Sequence, residues 1–152
     1  MKEERLTANF WLSEFLRSEA ATRKGLSNTP NEEALACIRV ILAPGMQQVR
    51  NILRAPVLIT SGYRSQAVNR AVGGAKESWH CLGLAADFVA PEFGMPRTVV
   101  ERLMLEGDLH FDQLIHEGDW VHISFRAASR ARRQVLTARF DNGRVSYLSG
   151  LR

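Results

Sequence analysis

At 152 residues, 45% hydrophobic and 24% charged, the chain has the composition of a single globular domain able to bury its own core, and two cysteines exclude a disulfide scaffold. No apolar run reaches the length of a membrane span, and Met1-Lys2-Glu3-Glu4-Arg5 lacks the apolar segment of a secretory leader, so the expectation is a chain made in the cytoplasm. The net charge of +4 is uneven: from Arg126 onward seven arginines face one acid, Asp141, which suits an anionic surface, while Phe140 and Tyr147 are too sparse an aromatic set for nucleic acid.

In chain order, Ser13 is placed to cap a first helix that turns Phe15, Leu16 and Ala20 inward. Gly25 and Ser27-Asn28-Thr29-Pro30 make a loop. Asn31 then caps a long helix with apolar residues at Leu35, Ile38, Leu42, Met46, Val49 and Leu53, which Pro44 should kink or divide. Pro56 to Thr60 reads as a short buried strand, Gln66 to Ala71 as a short helix, and Gly73-Gly74 as a loop. Leu84 to Val89 is a second strand, and Pro96 opens a helix that runs to about Glu106. Gln113 to His116 and Trp120 to Phe125 form a hairpin around Glu117-Gly118. Val135 to Phe140 and Arg144 to Leu148 form another around Asp141-Asn142-Gly143. The pattern is α+β, a small antiparallel sheet flanked by helices. Residues 1–152 read as one domain, with a core over about 8–126 and a basic C-terminal extension over about 127–152.

Four residues carry hydrolytic chemistry. His80 and Asp87 lie in Ser78-Trp79-His80-Cys81-Leu82-Gly83-Leu84-Ala85-Ala86-Asp87, and Asp119 and His122 in Asp119-Trp120-Val121-His122. Two imidazoles and a carboxylate leave a tetrahedral zinc ion one open position for water, and a second carboxylate is then free to move protons. The odd spacing of His80 and Asp87 forbids one unbroken strand from presenting both, so Gly83 makes the break and His80 sits in a loop. Alternation along Trp120 to Phe125 puts Trp120, His122 and Ser124 on one face and Val121, Ile123 and Phe125 in the core. Asp119 has the wrong parity for that face and belongs on a bend. His116 is placed to share a sheet face with His122 as a wall of the site, whereas His110 has no evident partner. Cys81 is read as a small buried residue beside a ligand.

The motifs Ser61-Gly62-Tyr63-Arg64-Ser65, Asn69, Val72-Gly73-Gly74, Ser-x-His-x-x-Gly-x-Ala-x-Asp and Asp-Trp-Val-His occur here in one order. The chain thereby resembles the zinc peptidases of peptidoglycan, the D-alanyl-D-alanine carboxypeptidase and phage L-alanyl-D-glutamate endopeptidase family with the hedgehog-like fold. The resemblance covers roughly residues 8 to 126, including Ser13-Glu14-Phe15-Leu16 and Asn28-x-Pro30; the tail beyond Arg126 matches nothing. It implies His80, Asp87 and His122 as ligands of one zinc ion and Asp119 as catalytic acid/base, where many relatives carry glutamate. It implies Arg64 as an electrostatic and substrate-binding group and Ser78 as a substrate-binding or loop-capping residue. Tyr63 and Asn69 brace the loop.

The expectation is therefore a monomeric zinc peptidase of peptidoglycan stem peptides, a phage or prophage endolysin acting on the cell wall after release. The alternatives are a carboxypeptidase of cell-wall metabolism and a non-catalytic, zinc-containing virion or envelope-binding module. The expected partners are the stem peptide and, through the basic tail, an anionic envelope surface; nucleic acid is not expected.

Overall fold

The computed structural model describes residues 3–152; Met1 and Lys2, which begin the stretch read as lacking a leader, lie outside them. The chain is a small α+β domain with a six-stranded, mostly antiparallel open sheet. Among the described residues no helix is long and apolar enough to cross a membrane.

The N-terminal helix is two helices. Helix α1 spans Leu12–Leu16 and α2 spans Glu19–Lys24, separated by Arg17 in extended conformation. Ser13 does not cap α1: its hydroxyl donates to Glu3, while the Glu14 carboxylate accepts from the Trp11 backbone N–H. Ser18 caps α2 instead, accepting from the Ala21 N–H. Asn31 caps α3 (Glu32–Cys37) as expected, its side-chain oxygen 2.8 Å from the Ala34 nitrogen. Pro44 does not stop this helix. A π-turn over Ile38–Leu42 leads directly into α4 (Ala43–Leu53), with Pro44 in the first turn of α4. The wider turn upstream accommodates a residue with no N–H to give and a ring that crowds the preceding turn.

Strand β1 (Leu58–Ser61) pairs with β2 (Ala85–Val89), β2 with β4 (Val121–Phe125), and β4 with β3 (Phe111–His116). Strand β1 is the sheet's edge, so Ile59 is buried and Leu58 exposed, rather than the whole strand. Between strands lie α5 (Gln66–Ala71), a 3-10 turn at Trp79–Leu82, and α6 (Pro96–Met104). The terminal hairpin is β5 (Gln134–Asp141) and β6 (Arg144–Ser149) around Asn142-Gly143, as expected. It does not stand apart: β5 docks on β3 in parallel, the one departure from the expected antiparallel sheet. The chain between β3 and β5 includes all of β4 and a 3-10 turn, long enough to return to the same end of the sheet.

One face of the sheet packs Phe88, Leu114, Val121 and Ile123 against Ile38, Leu42 and Met46 from the long helix and Val99 and Leu103 from α6. His116 pairs with Val121 in register, so it follows the core-facing parity and not that of His122. Its Nδ1 is the one buried side-chain nitrogen or oxygen without a hydrogen-bond partner among the described residues. The expectation that His116 shares a face with His122 is therefore corrected. The opposite face carries a single row across all six strands: Ser61, Asp87, His122, Ile115, Leu136 and Ser149.

Arginines of the basic extension hold the hairpin to the domain. Asp112 is fully buried and accepts from the Arg132 guanidinium at 2.6 Å and from the Arg132 backbone N–H at 3.2 Å. Arg133 donates to the carbonyls of Met104, Glu106 and Leu109 beyond α6 and stacks over Phe111. Burial pushes the Asp112 carboxyl up, but the Arg132 hydrogen bonds outweigh it and hold its pKa below the ordinary value. With the folded pKa depressed, this contribution is present above the unfolded pKa and is lost as pH falls through the folded one. Asp112→Ala is expected to cost about 1–3 kcal/mol, discounted because Arg132 is half exposed, and to lower the melting temperature by roughly 3–10 °C. Thermal unfolding at neutral pH checks this, and the gap should close in acid.

Candidate metal centre

His80 is delivered by a loop, as the odd spacing requires. The 3-10 turn at Trp79–Leu82 is capped by Ser78, whose hydroxyl accepts the His80 N–H at 3.2 Å. Gly83 ends the turn at φ +75°, and a Cβ there would collide with the Ala34 carbonyl oxygen. That contact sets the turn against α3 and aims His80 into the sheet face. Arg126 lies over the Trp79 ring at 5.4 Å and covers the turn from outside. Asp87 and His122 come from neighbouring central strands as direct register partners. Small Ala85 and Ala86 let β2 sit fully buried between β1 and β4.

The ligand atoms of His80, Asp87 and His122 all lie within 4.8 Å of one another. Asp87 Oδ1 is 2.9 Å from His122 Nδ1 and 3.3 Å from His80 Nε2. His80 Nδ1 lies 2.7 Å from the Gly62 carbonyl oxygen. A carbonyl only accepts, so Nδ1 carries the proton. Burial pulls the His80 pKa down, which keeps the ring neutral and leaves Nε2 a lone pair aimed at the carboxylate. Two acceptors facing each other across 3.3 Å are the donor set a cation satisfies, and the Gly62 carbonyl is the outer partner that fixes a ligand histidine's tautomer. Nitrogen, nitrogen and carboxylate oxygen are zinc chemistry.

Arg64 is drawn onto the same group. Its guanidinium donates to Asp87 Oδ2 at 3.1 Å and to Ser61 Oγ at 3.1 Å, with Asn69 Oδ1 at 3.5 Å. It thereby holds one Asp87 oxygen and leaves the other to the histidines. Burial raises the Asp87 carboxyl, yet the hydrogen bond from His122 prevails and holds it well below the carboxylate range. The Arg64 loop is tied down by Asn28, whose amide donates to the Leu16 and Tyr63 carbonyls and accepts from the Ser65 N–H. Asn69, itself buried, donates to the Ala75 carbonyl. Cys81, expected to be buried, is only partly buried beside His80 and lies outside the ligand group.

The three ligands open into a cleft of about 650 Å³ that Arg64 and Ser78 also line. Asp119 is exposed on the bend and is not among the residues lining the cleft. Glu117, two residues earlier, is half-buried and does line it. Burial pushes the Glu117 carboxyl above its ordinary pKa, with the nearby Asp87 charge acting in the same direction and His122 against it. The Tyr147 hydroxyl lies 3.5 Å from Glu117 Oε1. A signal for Glu117 exists in the sequence. Gln113, Ile115 and Glu117 alternate, and Ile115 is the register partner of His122, so extending the strand's parity by one step puts Glu117 on the site's face.

The family model for peptidase M15 matches residues 8–124, from the turn before α1 to the end of β4. The chain belongs to the peptidase M15 family. No curated protein matches it. M15 peptidases are zinc-dependent metallopeptidases, and in this one the group able to hold the ion is His80, Asp87 and His122. The matched segment contains His80, Asp87 and His122 and both carboxylates of the Glu117–Asp119 bend. It stops before the β5–β6 hairpin.

Proposed function

We propose that this M15 peptidase hydrolyses amide bonds of peptidoglycan stem peptides as a phage or prophage endolysin. The observation that carries the reading is the His80–Asp87–His122 group at the floor of an open cleft, with a cation and a free carboxylate beside it. A zinc ion held by these residues supplies Lewis acidity toward a carbonyl and lowers the pKa of water. The chain's own residues supply the rest. Arg64 keeps Asp87 oriented and leaves a fixed positive charge where the carbonyl oxygen gains negative charge. Ser78 orders the His80 turn and stands at the cleft wall beside the substrate. A carboxylate of the Glu117–Asp119 bend takes a proton from water and passes it to the leaving amine. Position before His122 favours Asp119, and orientation into the cleft favours Glu117.

Four arginines, Arg130, Arg139, Arg144 and Arg152, are exposed and suit an anionic envelope polymer, whereas Arg132 and Arg133 are engaged within the fold. The substrate is tested by digesting purified muropeptides with the zinc-loaded protein and analysing products by mass spectrometry. Cleavage at the L-alanyl-D-glutamate bond is the expected result. Loss of a single terminal alanine would make it a carboxypeptidase instead. Bound zinc with no new amine terminus would overturn the enzymatic reading in favour of an envelope-binding module.

A further inference from the structure

The β5–β6 hairpin lies beyond the segment that the family model matches, and nothing in the sequence motifs gives it a role. In the fold it is continuous with the site. Because β5 docks on β3, the row that carries Asp87 and His122 runs on through Ile115 to Leu136 and Ser149. Arg132 bound to the buried Asp112 anchors the start of this docking, and within the hairpin the Thr137 hydroxyl donates to the Gly150 carbonyl and accepts from the Arg152 N–H.

Val145 and Tyr147 alternate along β6, and both line the cleft with Leu136. They are 49% and 47% exposed, an apolar strip on an edge strand that a folded chain ordinarily blunts with charge. Across the ligands, the other wall is built by Arg64, Ser78, Trp79 and the Gly73-Gly74-Ala75 loop. The metal group thus sits between a wall that carries Arg64 and one on which Leu136, Val145 and Tyr147 supply the apolar surface. The Tyr147 hydroxyl, at 3.5 Å from Glu117, shows that the apolar wall reaches the bend that carries the proton-moving carboxylates.

We infer that the β5–β6 hairpin is the second wall of the substrate cleft, with Leu136, Val145 and Tyr147 receiving a small apolar side chain of the peptide on one side of the scissile bond. The inference rests on the peptidase reading and deepens it. A cleft with a wall on each side of the metal group admits peptide on both sides of the bond, and the hairpin wall selects an uncharged residue there.

The test is the double variant Val145→Asp, Tyr147→Ser. Both side chains are half exposed on an edge strand, so the variant keeps its fold, which thermal melting and zinc content verify. Ser146→Asp, on the other face of β6, is the control. Calorimetric titration of the metal-free proteins with a synthetic stem tetrapeptide should show Kd raised about tenfold or more in the double variant and unchanged in the control. In the zinc-loaded proteins KM should rise by the same factor. Equal Kd and KM in wild type and double variant would overturn the inference. Wild type that binds the tetrapeptide but releases no amine would overturn the peptidase reading alone, and the Kd comparison would still decide the role of the hairpin.

Discussion

His122→Ala is expected to abolish peptide hydrolysis and to weaken zinc binding by more than about 100-fold, the loss that even an outer partner of a ligand can cause. His122 is one of the three residues able to hold a metal ion, and its Nδ1 lies 2.9 Å from Asp87 Oδ1, so its removal opens the group on one side and leaves Asp87 without its closest partner. The measurement is zinc content after dialysis, together with melting in the presence and absence of zinc. For wild type, zinc at about a hundred times its Kd adds about 2.7 kcal/mol, which raises the melting temperature by roughly 5–10 °C. The variant should show no such rise. A His122→Ala protein that retains zinc and responds to it like wild type would remove His122 from the site.

Glu117→Gln is expected to lower kcat by about 10²–10⁴-fold while KM and zinc content stay near wild type, because the amide keeps the shape and loses the proton acceptor. Asp119→Asn should fall within about threefold of wild type, since that carboxylate is exposed and outside the cleft. The reverse pattern would return the role to Asp119. A second readout needs no zinc. Burial raises the Glu117 pKa above its ordinary 4.5, so its protonated form is favoured in the fold. The stability this confers is complete below 4.5 and is lost as pH rises through the folded value. Metal-free Glu117→Gln should therefore gain stability relative to wild type over that same rise.

The helix caps show where local chemistry was legible. Asn31 capped its helix, Pro96 opened one, and Asn142-Gly143 turned a hairpin, because each acts through residues only a few positions away. Ser13 failed for an equally local reason that competed with it. Glu14 serves the Trp11 N–H, so the helix starts a residue before Ser13, and the serine turns to Glu3. Pro44 is expected to kink or divide its helix, and the π-turn over Ile38–Leu42 carries the chain past it into α4. Parity correctly separated His80, Asp87 and His122 into a loop and two strands. It was applied one residue short at the end of β3, which hid Glu117, and His116 was credited with the face that belongs to Ile115.

The residue types, order and spacing of the metal group were determined by the sequence itself, as were the loop for His80 and the strand for His122. These follow from side-chain chemistry and from a backbone that alternates every second residue. Only the tertiary structure decided which acid of the Glu117–Asp119 bend enters the cleft, and that the basic tail is a wall of it. Both depend on the register of strands far apart in sequence: Ile115 against His122, and Leu136 against Ile115. Register is set by which hydrogen-bonded pairing buries the apolar face as a whole, and a shift of one residue would exchange every inward side chain for an outward one. No short stretch of this chain carries that information, and the lining of the cleft on both sides of the metal group depends on it.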